Sequence, residues 1–128
     1  MSEFAHHFQH DAFRELIGSL TLADGALLVL CGPNGDNLAI CDSTRRYFGP
    51  VASRMLGSGW ISAIHPDDQL LAADTWLRAV FHDEAYDLQL RYRRHDGNYR
   101  AFAVKAIRFF ERHAQETRWL VVSEPLDK

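Results

Sequence analysis

The chain carries several residues able to do chemistry, and their spacing limits what that chemistry is. His6, His7 and His10 stand three and four apart near the N-terminus. On a helix they would share one face, an arrangement able to hold a metal ion. No acidic or sulfur ligand completes the set, so it reads as a solvated helix face. Asp87, Tyr92 and His95 fall close together in a second stretch. They would serve acid–base catalysis only if they opened into one cavity. His65 and His82 are single imidazoles. His65 reads as a helix-start residue, and His82 as an exposed helix end where a cation suits the dipole. Cys31 and Cys41 are the only cysteines. No phosphate loop, nucleophile–base pair or metal-spaced cluster occurs elsewhere.

The elements that position these residues centre on Tyr86–Phe110. Asp96-Gly97 separates two runs rich in β-branched and aromatic residues, the pattern of a β-hairpin with a two-residue turn. That register places Tyr92 opposite Ala101 and Leu90 opposite Ala103. On the first arm Tyr86, Leu88, Leu90 and Tyr92 point one way, and Asp87, Gln89, Arg91 and Arg93 the other. Asp87 and Tyr92 therefore face opposite sides. The second arm is expected to make apolar contacts on both faces.

Around this hairpin the chain reads as follows. Residues 3–20 are expected to be helical, with Phe4, Phe8, Phe13, Leu16, Ile17 and Leu20 forming an apolar stripe. That stripe lies either on the domain's own sheet or against a second copy of the chain. Ala26–Cys31 and Leu38–Cys41 are short strands joined through Asn34-Gly35, a strong hairpin signal. Asp42 or Ser43 caps a short helix over Thr44–Phe48, which Gly49-Pro50 stops. Val51–Leu56 and Trp60–Ile64 are single helical turns. Pro66, Asp67 and Asp68 suit the first turn of a helix that runs to about Phe81 or His82. Its expected inward face is Leu70, Ala73, Trp76, Leu77, Val80 and Phe81. Arg118–Ser123 is a fifth strand. Hairpins with segregated helices predict an α+β domain built on a five-stranded antiparallel sheet.

The length of 128 residues predicts one domain with a sizeable core. A net charge of −3 gives no electrostatic reason to expect nucleic acid. The basic residues near the hairpin lie beside acids and read as a solvated sheet face. No apolar run approaches the roughly 20 residues that span a bilayer, and no secretory signal is visible. A reducing cytoplasm with two free thiols is the expectation.

The motifs Trp60-x-x-x-Ile64-His65-Pro66-Asp67-Asp68 and Tyr92-Arg93-Arg94-His95-Asp96-Gly97-Asn98-Tyr99-Arg100, followed by Trp119, resemble those of the PAS domain, the second block matching its PAC motif. The resemblance covers roughly residues 22–124. With the helix read from the apolar stripe, the chain divides into an N-terminal amphipathic helix over 1–21, a PAS-like domain over 22–124 and a short tail over 125–128. The resemblance implies strand order 2-1-5-4-3, helices on one sheet face and ligands held between the layers. Ala101 stands where many members have Trp, and Cys41-Asp42-Ser43 where many have Asn. The end of the last strand, Ser123-Glu124-Pro125, lacks the Asp-Ile-Thr-like element that often leads to an output coiled coil. The expectation is then either a stand-alone sensor or an output protein or domain outside this chain.

Such a pocket would be lined by Phe48, Trp60, Ile64, Trp76, Leu77 and Phe81 from the helices, with Leu90, Tyr92 and Phe102 from the sheet. Each also reads as plain core. Ala39, Ala101 and Ala103 are the small sheet residues expected to leave space. Haem, which some members carry, would need His65 or His82 as axial ligand. The Asn-Cys-Arg-Phe-Leu-Gln motif of the flavin-linked subclass is not present. The function expected is a sensory module without catalysis, one that binds a small ligand or partner protein and forms a homodimer through the N-terminal helix. A ligand-free adaptor and a ketosteroid-isomerase-like cavity enzyme are the alternatives.

Overall fold

The computed structural model describes residues 24–34, 36–55 and 59–126. The N-terminal stripe, its dimer contact and the His6, His7, His10 set lie outside the described residues. Strands β1 (Leu27–Cys31) and β2 (Asn37–Ile40) are followed by helix α1 (Asp42–Phe48) and two 3-10 turns, Gly49–Met55 and Gly59–Ala63. Helix α2 (Pro66–His82) leads into β3 (Tyr86–Arg93), β4 (Tyr99–Glu111) and β5 (Glu116–Pro125). The five strands form one antiparallel sheet in the order β2-β1-β5-β4-β3, as the resemblance implies.

The central hairpin differs from expectation by one residue. Tyr92 pairs with Arg100 and Leu90 with Phe102. The turn is a three-residue loop, closed by Arg94 N–H donating to the Asn98 carbonyl at 2.7 Å. Gly97 takes φ 89°, the left-handed residue such a loop requires. Asp96 holds it from inside, accepting from the Asn98 N–H at 3.1 Å and the Arg94 guanidinium at 2.6 Å. The one-residue slip resolves the ambiguity of the second arm. Phe102, Val104 and Ala106 now share the face of Leu90, Leu88 and Tyr86.

That inner face meets the helices. Phe48 of α1, Ala63 of the second turn and Ile64 just after it, and Ala72, Trp76 and Ala79 of α2 pack with Leu27, Leu90, Phe102, Val104 and Trp119. Three contacts pin the helical layer. Thr44 Oγ1 accepts from Leu28 N–H at 3.0 Å and donates to its carbonyl at 3.1 Å. His95 N–H donates to the Tyr47 carbonyl at 2.8 Å, so the hairpin turn rests on the end of α1. Gly49 is needed there, because a Cβ at that site would stand 2.8 Å from His95 Cβ. At the start of α2, Pro66 occupies the first turn and His65 Nδ1 accepts from Asp67 N–H at 3.0 Å.

Candidate functional site

Asp68 sets how α2 lies on the sheet. Its carboxylate accepts from Arg91 Nε, Arg91 Nη2 and the Arg91 backbone N–H, each at 2.9 Å. Gln69 Nε2 donates to the Ile64 carbonyl at 3.0 Å. The Arg91 hydrogen bond holds the Asp68 carboxyl below its ordinary range. With this end fixed, Trp76 points at the sheet. Its ring stands edge-on to Trp119 at 5.3 Å, Tyr86 at 5.5 Å and Trp60 at 6.4 Å. Ala72 and Ala79, about one turn to either side, are buried and short, which lets the helix approach closely around the indole.

This packing leaves a cavity of about 40 Å³ beside Trp76. That is space for about three waters, at roughly 10–15 Å³ of centre volume each. Its roof is Trp60, Ala72 and Trp76. Its floor and walls are Val29, Cys31, Asn37, Tyr86, Leu88, Leu90, Tyr92, Val104 and Val121. The polar groups on this wall are neutral. Cys31 Sγ donates to Asn37 Oδ1 at 3.3 Å, and burial, with Asp36 adding, pushes the thiol up to about 12. Tyr92 Oη and Ser123 Oγ share a hydrogen bond of 3.1 Å. Burial likewise pushes the Tyr92 phenol to about 12, against that bond, and pushes Tyr86 well above its ordinary value. Among the described residues no carboxylate, imidazole or ammonium lines the cavity. It suits an uncharged, mostly apolar molecule, because a buried ion would lose its water without a counter-charge.

Of the nine candidate residues, Trp60, Trp76, Leu90 and Tyr92 line this cavity. Phe48, Ile64 and Phe102 are buried in the same inner core but lie outside its lining. Leu77 and Phe81 are corrected: they are 68% and 85% exposed, on the far side of α2. Of the stripe expected to face inward, Trp76 is buried and Val80 is half-buried against the core, while Leu70, Leu77 and Phe81 face outward, because the Asp68–Arg91 clamp and the Trp76 cluster fix the phase of the helix. Ala39, Ala101 and Ala103 are corrected too. Ala101 and Ala103 pair with Arg91 and Gln89, and Ala39 packs in the outer cluster, so the cavity owes them no space. Its clearance comes from Ala72 and from the valines of β1, β4 and β5. Tyr86 and Leu88 were legible in the β3 alternation. Cys31, Asn37 and Ala72 had no signal of their own.

The other candidates do not converge. Asp87 is exposed opposite Lys105, and His95 is exposed at the turn, while Tyr92 faces the cavity. His65 caps α2 with its ring 4.5 Å from Tyr99, and His82 is exposed at the helix end. Neither imidazole reaches the cavity, and its volume is far below that of a haem, so the residues present do not fit that group. Among the described residues no three His, Cys, Asp or Glu gather as a metal site, and no helix is long and apolar enough to cross a membrane.

A family model described as the PAS fold matches residues 38–123. No curated protein sequence matches the chain. The PAS domain of an HTR-like protein from Haloarcula marismortui is similar in structure, with TM-score 0.63, 17% identity, and coverage of 91% of this chain and 99% of that one. So is the PAS domain of the RpfR quorum-sensing receptor of Cronobacter turicensis, solved in complex with BDSF, with TM-score 0.62, 10% identity, and coverage of 84% and 99%. A fungal LOV domain photoreceptor reaches TM-score 0.67 at 15% identity, covering 91% and 92%. At these identities the structural likenesses speak for the fold, and with the family match over most of its length the chain belongs to the PAS-fold family.

Proposed function

We propose that this chain is a sensory module that takes up a small, uncharged, mostly apolar molecule in the cavity beside Trp76. An output protein or domain outside this chain reads the result. The observation that carries the reading is the cavity itself, an apolar space with neutral hydrogen-bonding groups on one wall and a helix as its roof. The RpfR PAS domain, similar in fold, was solved with a bound ligand, which supports a binding role for this architecture. Occupancy favours whichever packing of α2 on the sheet binds the ligand better. The two cysteines are buried and unpaired, which suits the reducing cytoplasm in which we place the module.

The test is native mass spectrometry of the full chain as purified, together with thermal unfolding against a panel of short linear alcohols and carboxylic acids. The expected result is a retained mass lost on denaturation, or a raised Tm with the alcohols and not with the charged acids. Either effect should vanish in Ala72→Leu, which fills the roof. A ligand-free chain that no panel member stabilises would overturn the proposal and favour the adaptor reading.

A further inference from the structure

The wall of the cavity beside Trp76 holds hydrogen-bonding groups in two conditions. One set is already engaged. Asn37 Oδ1 accepts from Cys31 Sγ at 3.3 Å, and Tyr92 Oη and Ser123 Oγ share their bond of 3.1 Å. The other set is not engaged. The Tyr86 hydroxyl and the Trp76 indole N–H belong to lining residues, and neither hydrogen-bonds to a described residue. Their rings stand edge to face, 5.5 Å apart. Neither group is sealed in protein: among the described residues, no side-chain nitrogen or oxygen cut off from open space lacks a partner. The open space that both side chains line is the cavity.

Tyr86 is the more telling of the two. It begins β3 and shares the inner face with Leu88 and Leu90. Burial, with Tyr92 and Cys31 adding, pushes its phenol well above the ordinary value. The oxygen therefore stands among protein atoms and keeps its proton at neutral pH. A hydroxyl withdrawn from water without a partner costs free energy, and a phenylalanine would pack the same ring without that cost. Both unmet groups are donors, since the phenol is protonated and an indole N–H can only donate. A ligand that brings an acceptor and no donor answers them and leaves nothing of its own unpaired. A ligand hydroxyl answers the Tyr86 proton but adds a further donor to a wall already rich in them. We propose that the molecule held beside Trp76 is an uncharged carbonyl compound, a short-chain ketone or aldehyde, whose oxygen accepts from the Tyr86 hydroxyl. This rests on the sensory reading above and names the chemistry that its cavity selects. A space of about 40 Å³ keeps the chain short.

The experiment titrates the full chain and its Tyr86→Phe variant with butanone, secondary butanol and isopentane, three molecules of one carbon shape, following amide and indole NMR shifts. The substitution keeps the ring, and the hydroxyl has no described partner to lose, so the variant should fold as the parent does. The parent should bind butanone more tightly than secondary butanol. Tyr86→Phe should weaken butanone about tenfold, the worth of one hydrogen bond, and leave isopentane within about twofold. The infrared carbonyl stretch of bound butanone should lie at lower frequency in the parent than in the variant, because only the parent donates to it. If none of the three binds the parent, this proposal falls together with the sensory reading. If they bind, and Tyr86→Phe changes neither the butanone affinity nor its carbonyl stretch, the assignment to Tyr86 alone is overturned and the cavity reading stands.

Discussion

Helix α2 has two apolar faces, and the smaller one is buried. Inward it shows Ala72, Trp76 and Ala79; outward it shows Leu70, Leu71, Leu77 and Phe81. Counting apolar side chains alone would turn the helix the other way. The inner face wins because Trp76 fits against rings carried by the sheet, and because in this orientation Asp68 accepts three hydrogen bonds from Arg91 of β3. Specific geometry outweighs a wider hydrophobic stripe, since burial favours whichever side chains find close-packed partners.

The largest effect expected from this difference is at Trp76. Trp76→Ala should lower stability by about 3–5 kcal/mol, read from urea unfolding, as for other buried large-to-small changes. It also extends the cavity by the volume of an indole. Free indole should therefore raise the Tm of the variant more than that of the parent chain, by mass action on the folded state. A loss at Trp76 no greater than that at Leu77 would reverse the assignment of the two faces.

The misreading of α2 marks where the sequence is legible and where it is not. The element order, the caps at Pro66 and the sheet class follow from local spacing, because turns and alternation are local physics. The strand order came from a motif resemblance, not from periodicity. The β3–β4 register came out one residue off because Asp-Gly serves both two- and three-residue loops, and contacts from Tyr47 and Asp96 choose between them. The phase of α2 depends on Arg91, 23 residues away from Asp68 in sequence, and no periodicity within the helix records it. The cavity is harder still. It exists where Ala72 and the valines Val29, Val104 and Val121 are short, so it is defined by missing volume spread over four elements.

A smaller effect tests the clamp that sets the helix phase. The Arg91 hydrogen bond holds the Asp68 carboxyl below its ordinary pKa in the folded chain. Its stabilising contribution is thus complete above the unfolded carboxylate value, about 3.9, and is lost as pH falls through the lower folded value. Asp68→Asn should lower stability at neutral pH and flatten the loss of stability below about pH 4, where free carboxylates begin to protonate. Urea unfolding across that window measures both. If the parent and the variant lost stability in parallel on acidification, the clamp would not be what orients the helix.

The smallest effect is expected on the outer face. Leu77→Ala and Phe81→Ala remove large side chains that already contact water, so each should shift stability by no more than about 0.5 kcal/mol in either direction. Alanine also favours the helix as well as leucine and better than phenylalanine, which offsets part of any packing lost. Urea unfolding of the full chain at several protein concentrations reads both terms. A cost near that of Trp76→Ala would show that this stripe is covered in solution, and a cost that grew with protein concentration would assign the cover to another copy. Near-zero costs at both sites, set beside a large one at Trp76, would establish that one aromatic side chain, and not the count of apolar residues, decides which face of α2 the sheet receives.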